Sequence, residues 1–167
     1  MRRALIVSET SKKKEPMTDK TTIAVASDHA GFEYKESIKK HLEKKGFTVE
    51  DFGTDSRKSA DYPHFIRPAA EAVADGKCSL GIVVGGSGNG EAITANKVPS
   101  IRCAVIWDDK TARWAKEHNN ANIISLGQRT IEKETALRIV DVWLNAEFKG
   151  GRHQRRIDLI ESGAGPK

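Results

Sequence analysis

Cysteine is scarce in this chain: Cys78 and Cys103 are the only two among 167 residues, and no C-x-x-C spacing occurs. That excludes a disulfide-built scaffold and a zinc knuckle, and fits a reducing cytoplasm. Long hydrophobic runs are absent too. No stretch approaches the roughly 18 apolar residues of a membrane-spanning helix. The patch ALIV at residues 4–7 falls short of the ~7–15 apolar residues of a secretory signal, so no export is expected. Nor is one sign of charge in large excess. The net charge is +5, and residues 1–20 supply +3 of it through Arg2, Arg3, Lys12, Lys13, Lys14 and Lys20 against Glu9, Glu15 and Asp19. The remaining 147 residues carry +2. So balanced a body argues against a broad footprint for DNA or RNA. Internal repeats and low-complexity stretches are missing from the body as well.

What is present is a globular balance, 38% hydrophobic and 31% charged, on a chain long enough for one domain and too short for two ordinary ones. Short apolar runs alternate with helical periodicity. TIAVA (22–26), FTVEDF (47–52), LGIVV (80–84), CAVIW (103–107) and NIISL (122–126) read as strands. Between them, Tyr34, Ile38 and Leu42 mark one helix face closing on Gly46, and Ala69, Ala70, Val73 and Ala74 a second helix ending near Asp75-Gly76. TARWAKEHN (111–119), the spacing Ala136, Leu137, Val140, Trp143, Leu144, and GRHQRRIDLIES (151–162) supply three more. Strands without a polar face, alternating with helices, predict an α/β fold: a five-stranded parallel sheet covered on both sides. Residues 21–162 form the expected domain, after a lysine-rich leader over 1–20 expected to be disordered and before a flexible tail over 163–167. MTDKTTIAVASDHAG begins at the first strand, so Met17 reads as an alternative start and residues 1–16 are expected to be dispensable.

In such folds ligands sit at the carboxyl ends of the strands. Four segments fall there: 27–31, containing Asp28 and His29, the loop GGSGNGE (85–91), Asp108-Asp109, and Gly127-Gln128-Arg129. Four glycines in six positions let backbone N–H groups turn toward a small polar ligand. The loop is neither G-x-G-x-x-G nor a P-loop, because Glu91 and Ala92 stand where Lys and Ser or Thr would be. Nucleotide binding is therefore not expected. The plainer readings are a tight strand-to-helix turn for the loop, a helix N-cap for Asp28, a helix-end histidine interacting with the dipole for His118, and small buried hydrophobes for both cysteines. Arg152 and Arg156, four apart on one helix face with His153 close by, can grip one anion from adjacent turns, or else form a solvated basic face.

DHAGFEYKESI (28–38), GGSGNGEAITANK (85–97), EHNNAN (117–122) and RHQRRI (152–157), in this order and spacing, resemble the type B ribose-5-phosphate isomerases and their sugar-phosphate isomerase relatives. The resemblance covers about residues 21–162. It implies a three-layer α/β/α Rossmann-like domain, homodimers with homotetramers as a further assembly, sites with residues from both chains, no metal, no cofactor and a small sugar-phosphate substrate. The implied reaction interconverts ribose 5-phosphate and ribulose 5-phosphate in the pentose phosphate pathway. Carried onto this sequence, the resemblance makes Asp28 and His29 contacts to the sugar and its phosphate. It makes the loop Gly86, Ser87, Gly88, Asn89 and Gly90 an anion hole. His118 then opens the furanose ring, Asn119 contacts a hydroxyl, and Arg129, Arg152 and Arg156 are cations at the phosphate end. One branch of that family uses a cysteine opening the loop as its base, where this sequence has Gly85; the other uses the glutamate closing the loop, here Glu91.

Aldose–ketose isomerisation removes a proton beside a carbonyl and shelters an enediolate before the proton returns one carbon along. A loop of N–H donors with a carboxylate at its end meets both needs, with the phosphate held elsewhere. The helix dipole should lower the pKa of Glu91, while desolvation should raise it, which is what a base wants. The alternatives are isomerisation of another sugar phosphate, a tetrose or hexose phosphate, and a sugar-phosphate-binding domain without chemistry.

Overall fold

Each apolar run becomes a strand, and the helices between them return the chain to the same edge of the sheet. The computed structural model describes residues 21–163, so the expectations for residues 1–20 and for residues 164–167 of the tail lie outside the described residues. The elements are β1 (Thr22–Ser27), α1 (Phe32–Lys44), β2 (Thr48–Asp51), α2 (Pro63–Ala74), β3 (Leu80–Gly85), α3 (Asn89–Asn96), β4 (Cys103–Val105), α4 (Asp109–Asn119), β5 (Ile123–Gly127), α5 (Lys133–Asn145) and α6 (Arg152–Ser162). All strand pairings are parallel, in the order β2-β1-β3-β5-β4. The three central strands β1, β3 and β5 are buried almost throughout because helices cover both faces.

The two faces have separate cores. Ile23, Val25, Ile82, Val84, Ile124 and Leu126 pack against α1, α4 and α5, while Ala24, Ala26, Val83 and Ile123 meet α2 and α3. Burying each large aliphatic side chain contributes about 1.5–3 kcal/mol. The three-layer α/β/α reading holds, with two local differences. β4 is shorter than the apolar run CAVIW, since Trp107 turns out to solvent, and it sits at the sheet's edge. α2 begins at Pro63, a turn and a half earlier than its alanines indicated, and runs through Pro68. Pro68 lies on the exposed face, so the hydrogen bond it lacks is replaced by solvent.

The path of the chain fixes where a ligand fits. From β1 the chain crosses by α1 to one side, and from β3 it crosses by α3 to the other, on the opposite face. Between the carboxyl ends of β1 and β3 the connections diverge and leave a crevice, the switch point where open α/β sheets bind ligands. Asp28 and the glycine loop are the two segments that border it.

Candidate active site

Glu91 stands in the first turn of α3 and is only 3% exposed. It owes that seat to Gly85, the last residue of β3: a Cβ there would lie 1.9 Å from Glu91 Oε1 and 2.3 Å from Oε2. The carboxylate thus fills the volume that any side chain at position 85 would need. Desolvation is the largest influence on Glu91 and pushes its pKa above the ordinary 4.5; its own backbone N–H pulls the other way, and the Asp28 charge adds to the rise. Burial outweighs the hydrogen bond from the backbone, so Glu91 holds its proton more readily than an open carboxylate.

The loop is built to hold this arrangement. Gly88 caps α3 with a φ of +83°, a conformation that L side chains rarely adopt, and its carbonyl accepts the Ser125 hydroxyl at 2.6 Å. Backbone N–H groups of Gln128 and Arg129 donate to the carbonyls of Gly85 and Gly86, both at 2.9 Å, so the segment after β5 is stitched to the loop. This places the Arg129 guanidinium beside Gly86 and the Tyr62 ring against Gly90. In the first turn of α3 the Glu91 N–H is taken up by its own carboxylate, while the Gly90 N–H has no acceptor within the helix.

On the other wall, Asp28 is 7% exposed and its Oδ1 accepts the N–H groups of Ala30 and Gly31 at 3.0 and 3.1 Å. Gly31 is the N-cap of α1, so Asp28 orders the turn before the helix and is not itself the cap. Its carboxylate is also close enough to raise Glu91. His29 is anchored through Nδ1 to the backbone of Ala60, with the N–H at 3.2 Å and the carbonyl at 3.3 Å. The adjacent Ser27 hydroxyl is buried without a partner. Among the described residues no group of three or more His, Cys, Asp or Glu gathers as a metal site, and no helix is long and apolar enough to cross a membrane.

His118, Asn119, Arg152 and Arg156 are not in this crevice. α4 starts behind Asp108 at the carboxyl end of β4, runs antiparallel to the strands, and ends at Asn119 just before β5. His118 and Asn119 therefore lie at the amino edge, about 17 Å away along the five residues of β5 at ~3.3 Å each. α6 docks there: the His153 ring stacks on His118 with centroids 4.4 Å apart, Trp114 stacks on the other side at 5.8 Å, and Lys149 bridges to Glu117 at 2.7 Å. Burial, with His118 and the flanking arginines, lowers the pKa of His153. One chain thus carries the expected site residues in two separate groups, Asp28, His29, residues 86–91 and Arg129 at the carboxyl ends of the strands, and His118, Asn119, Arg152 and Arg156 at the amino edge.

Tyr62 and Ser125 carry no signal in the sequence; each acquires its place only when segments distant in the chain meet. Of the cysteines, Cys78 is buried and its thiol is pushed up to about 11, chiefly by desolvation. Cys103 is half-buried on the edge strand, more open than the buried hydrophobe expected, and its thiol is likewise raised by desolvation and by Glu91.

A buried carboxylate at a glycine loop, in the switch-point crevice of a parallel sheet, is the arrangement of an α/β enzyme acting on a small ligand. The chain belongs to the ribose/galactose isomerase family, whose sequence model matches residues 23–160. It is 49% identical over 140 residues to ribose-5-phosphate isomerase B of Mycolicibacterium paratuberculosis, covering 83% of this chain and 88% of that protein. Its fold superposes on Clostridium thermocellum ribose-5-phosphate isomerase B with a TM-score of 0.84 at 48% identity, over 85% of this chain and 96% of that one. The Mycoplasma genitalium enzyme of the same name, solved with bound ribulose-5-phosphate, gives a TM-score of 0.82 at 40% identity, over 86% and 95% of the two chains.

Proposed function

We propose that this protein is an aldose–ketose isomerase that interconverts ribose 5-phosphate and ribulose 5-phosphate. The observation that carries the reading is the Glu91 carboxylate, buried over Gly85 with a raised pKa at the head of α3. In this reading His118 protonates the ring oxygen to open the sugar, and Glu91 takes the C2 proton. Backbone N–H groups of residues 86–90 hold the enediolate, and Glu91 returns the proton at C1. Asp28, His29 and Asn119 position the sugar. Arg129, Arg152 and Arg156 bind the phosphate, whose remote binding energy aligns the reacting carbon. The same reading places the enzyme in the cytoplasm, where its two unpaired cysteines stay reduced.

A complete site takes two chains. The base half and the cation half of one molecule lie at opposite edges of its sheet, and each is flanked by exposed apolar side chains, Ile93 on α3 and Trp114, Leu159 and Ile160 on α4 and α6. A homodimer that brings these faces together supplies His118, Asn119, Arg152 and Arg156 to the partner's crevice. Mixing two inactive variants tests this. Glu91→Gln and His118→Asn, unfolded and refolded together, should regain about a quarter of wild-type turnover, because half of the dimers are mixed and each mixed dimer holds one intact site. No recovery in mixed dimers would place both residues in a site within one chain.

A further inference from the structure

Lys35 lies on α1 with a fully buried side chain. Its Nζ donates to Asp51 Oδ2 and Glu36 Oε1, both at 2.7 Å, and sits 5.6 Å from the centroid of the Phe32 ring. Taking an ammonium out of water is costly, and such a pair seldom stabilises a fold more than apolar side chains of equal volume would. The position calls for another reason, and Asp51 supplies it. Asp51 ends β2, and its second oxygen, Oδ1, accepts the Gly53 N–H at 2.9 Å. Gly53 turns with a φ of +94°. Its carbonyl accepts the Ser27 N–H at 2.7 Å, and the Thr54 N–H donates to the Ser27 carbonyl at 2.7 Å. Ser27 is the residue before Asp28. Thr54 opens the segment that carries Ala60, against His29, and Tyr62, against Gly90. From the open side Lys39 also reaches Asp51 Oδ2, at 3.2 Å.

We propose that the Lys35–Asp51 pair is a positioning device for the isomerase crevice: by fixing the Asp51 carboxylate it holds the Gly53 turn, and the turn sets Asp28 on one wall and the 54–62 segment on the other. The inference rests on the reading of that crevice as the substrate site. Neither side chain touches the reacting atoms. In Lys35→Met the volume stays and the charge goes; Asp51 loses its buried partner, swings toward Lys39 and water, and releases Gly53.

Lys35→Met, Lys35→Met/Asp51→Asn and Glu91→Gln are compared in the full chain by steady-state kinetics with ribose 5-phosphate and by thermal unfolding. Lys35→Met is expected to lose about tenfold in kcat/KM, mostly through KM because Asp28 and His29 bind substrate, with Tm within a few degrees of wild type. In the double variant the amide oxygen at position 51 still accepts the Gly53 N–H, and the charges that lose a partner, Glu36 and Lys39, are open to solvent, so most of the loss should return. A merely structural pair would lower Tm and leave kinetics well below the transition unchanged. Wild-type KM and kcat in Lys35→Met overturn the proposal, as does a loss that the double variant fails to recover. If Lys35→Met does not fold, Asp51→Asn against Asp51→Ala decides, since only the first keeps the acceptor; equal kcat/KM values in that pair overturn it. Full activity in Glu91→Gln would instead remove the assigned base and leave the positioning result readable on its own.

Discussion

Gly85→Ala adds one methyl group, and the structure says where it goes. The new Cβ would lie 1.9 Å from Glu91 Oε1 and 2.3 Å from Oε2, whereas comfortable C···O contacts are about 3.3–3.6 Å. The carboxylate must retreat by at least about 1 Å, and a misplacement of that size at a reacting group costs on the order of 10²-fold in rate. The fold should hardly notice. The φ of Gly85 lies outside the left-handed region, and the clashing atoms are the far end of a flexible side chain. An alanine at such a position gains roughly 0.4–1 kcal/mol through the unfolded state, which offsets the cost of moving Glu91. We expect kcat, and exchange of the substrate C2 proton with solvent, to fall about 10²-fold, while Tm stays within about 4 °C of wild type, the shift produced by ~1 kcal/mol in a chain of this size. Turnover within threefold of wild type would refute the claim that Glu91 acts from this seat. A collapse of Tm would show that Gly85 serves the fold instead.

Glu91→Gln keeps the shape but cannot take a proton, so kcat should fall roughly 10²- to 10⁴-fold with substrate still bound, as measured by turnover and equilibrium binding. Because burial raises the folded-state pKa of Glu91 above its ordinary 4.5, the acid limb of the kcat profile should lie above that value. The same sign makes ionised Glu91 a cost to the fold that is fully present above the folded pKa and vanishes below the unfolded one. Glu91→Gln should therefore raise Tm at neutral pH, and the gain should fade on acidification. Arg152→Ala and Arg156→Ala each remove a charge-assisted contact worth ~1.5–3 kcal/mol, so KM for the phosphorylated sugar should rise and kcat/KM fall about tenfold or more; near-wild-type kinetics in both would return them to a solvated basic face.

The sequence by itself determined the strands, the helices and the character of the loop, because these rest on local patterns. Runs such as LGIVV have no polar face and belong between two helical layers. The loop 85–91 has too little side chain to do anything but present its backbone, and it ends on a carboxylate. Where the pattern was weak it misled: Pro68 hid the first half of α2, and CAVIW promised more strand than the edge of the sheet provides. The strand order β2-β1-β3-β5-β4 has no local signature, since it depends on which way each crossover turns. Only the tertiary structure decided that Glu91 and Gly85 share one volume, that burial raises the pKa of Glu91, and that Tyr62 rests on Gly90. It alone put His118 and the α6 arginines at the far edge of the sheet from Glu91. Each of these depends on contacts between residues distant in the chain, and no periodicity within one segment records the burial that results.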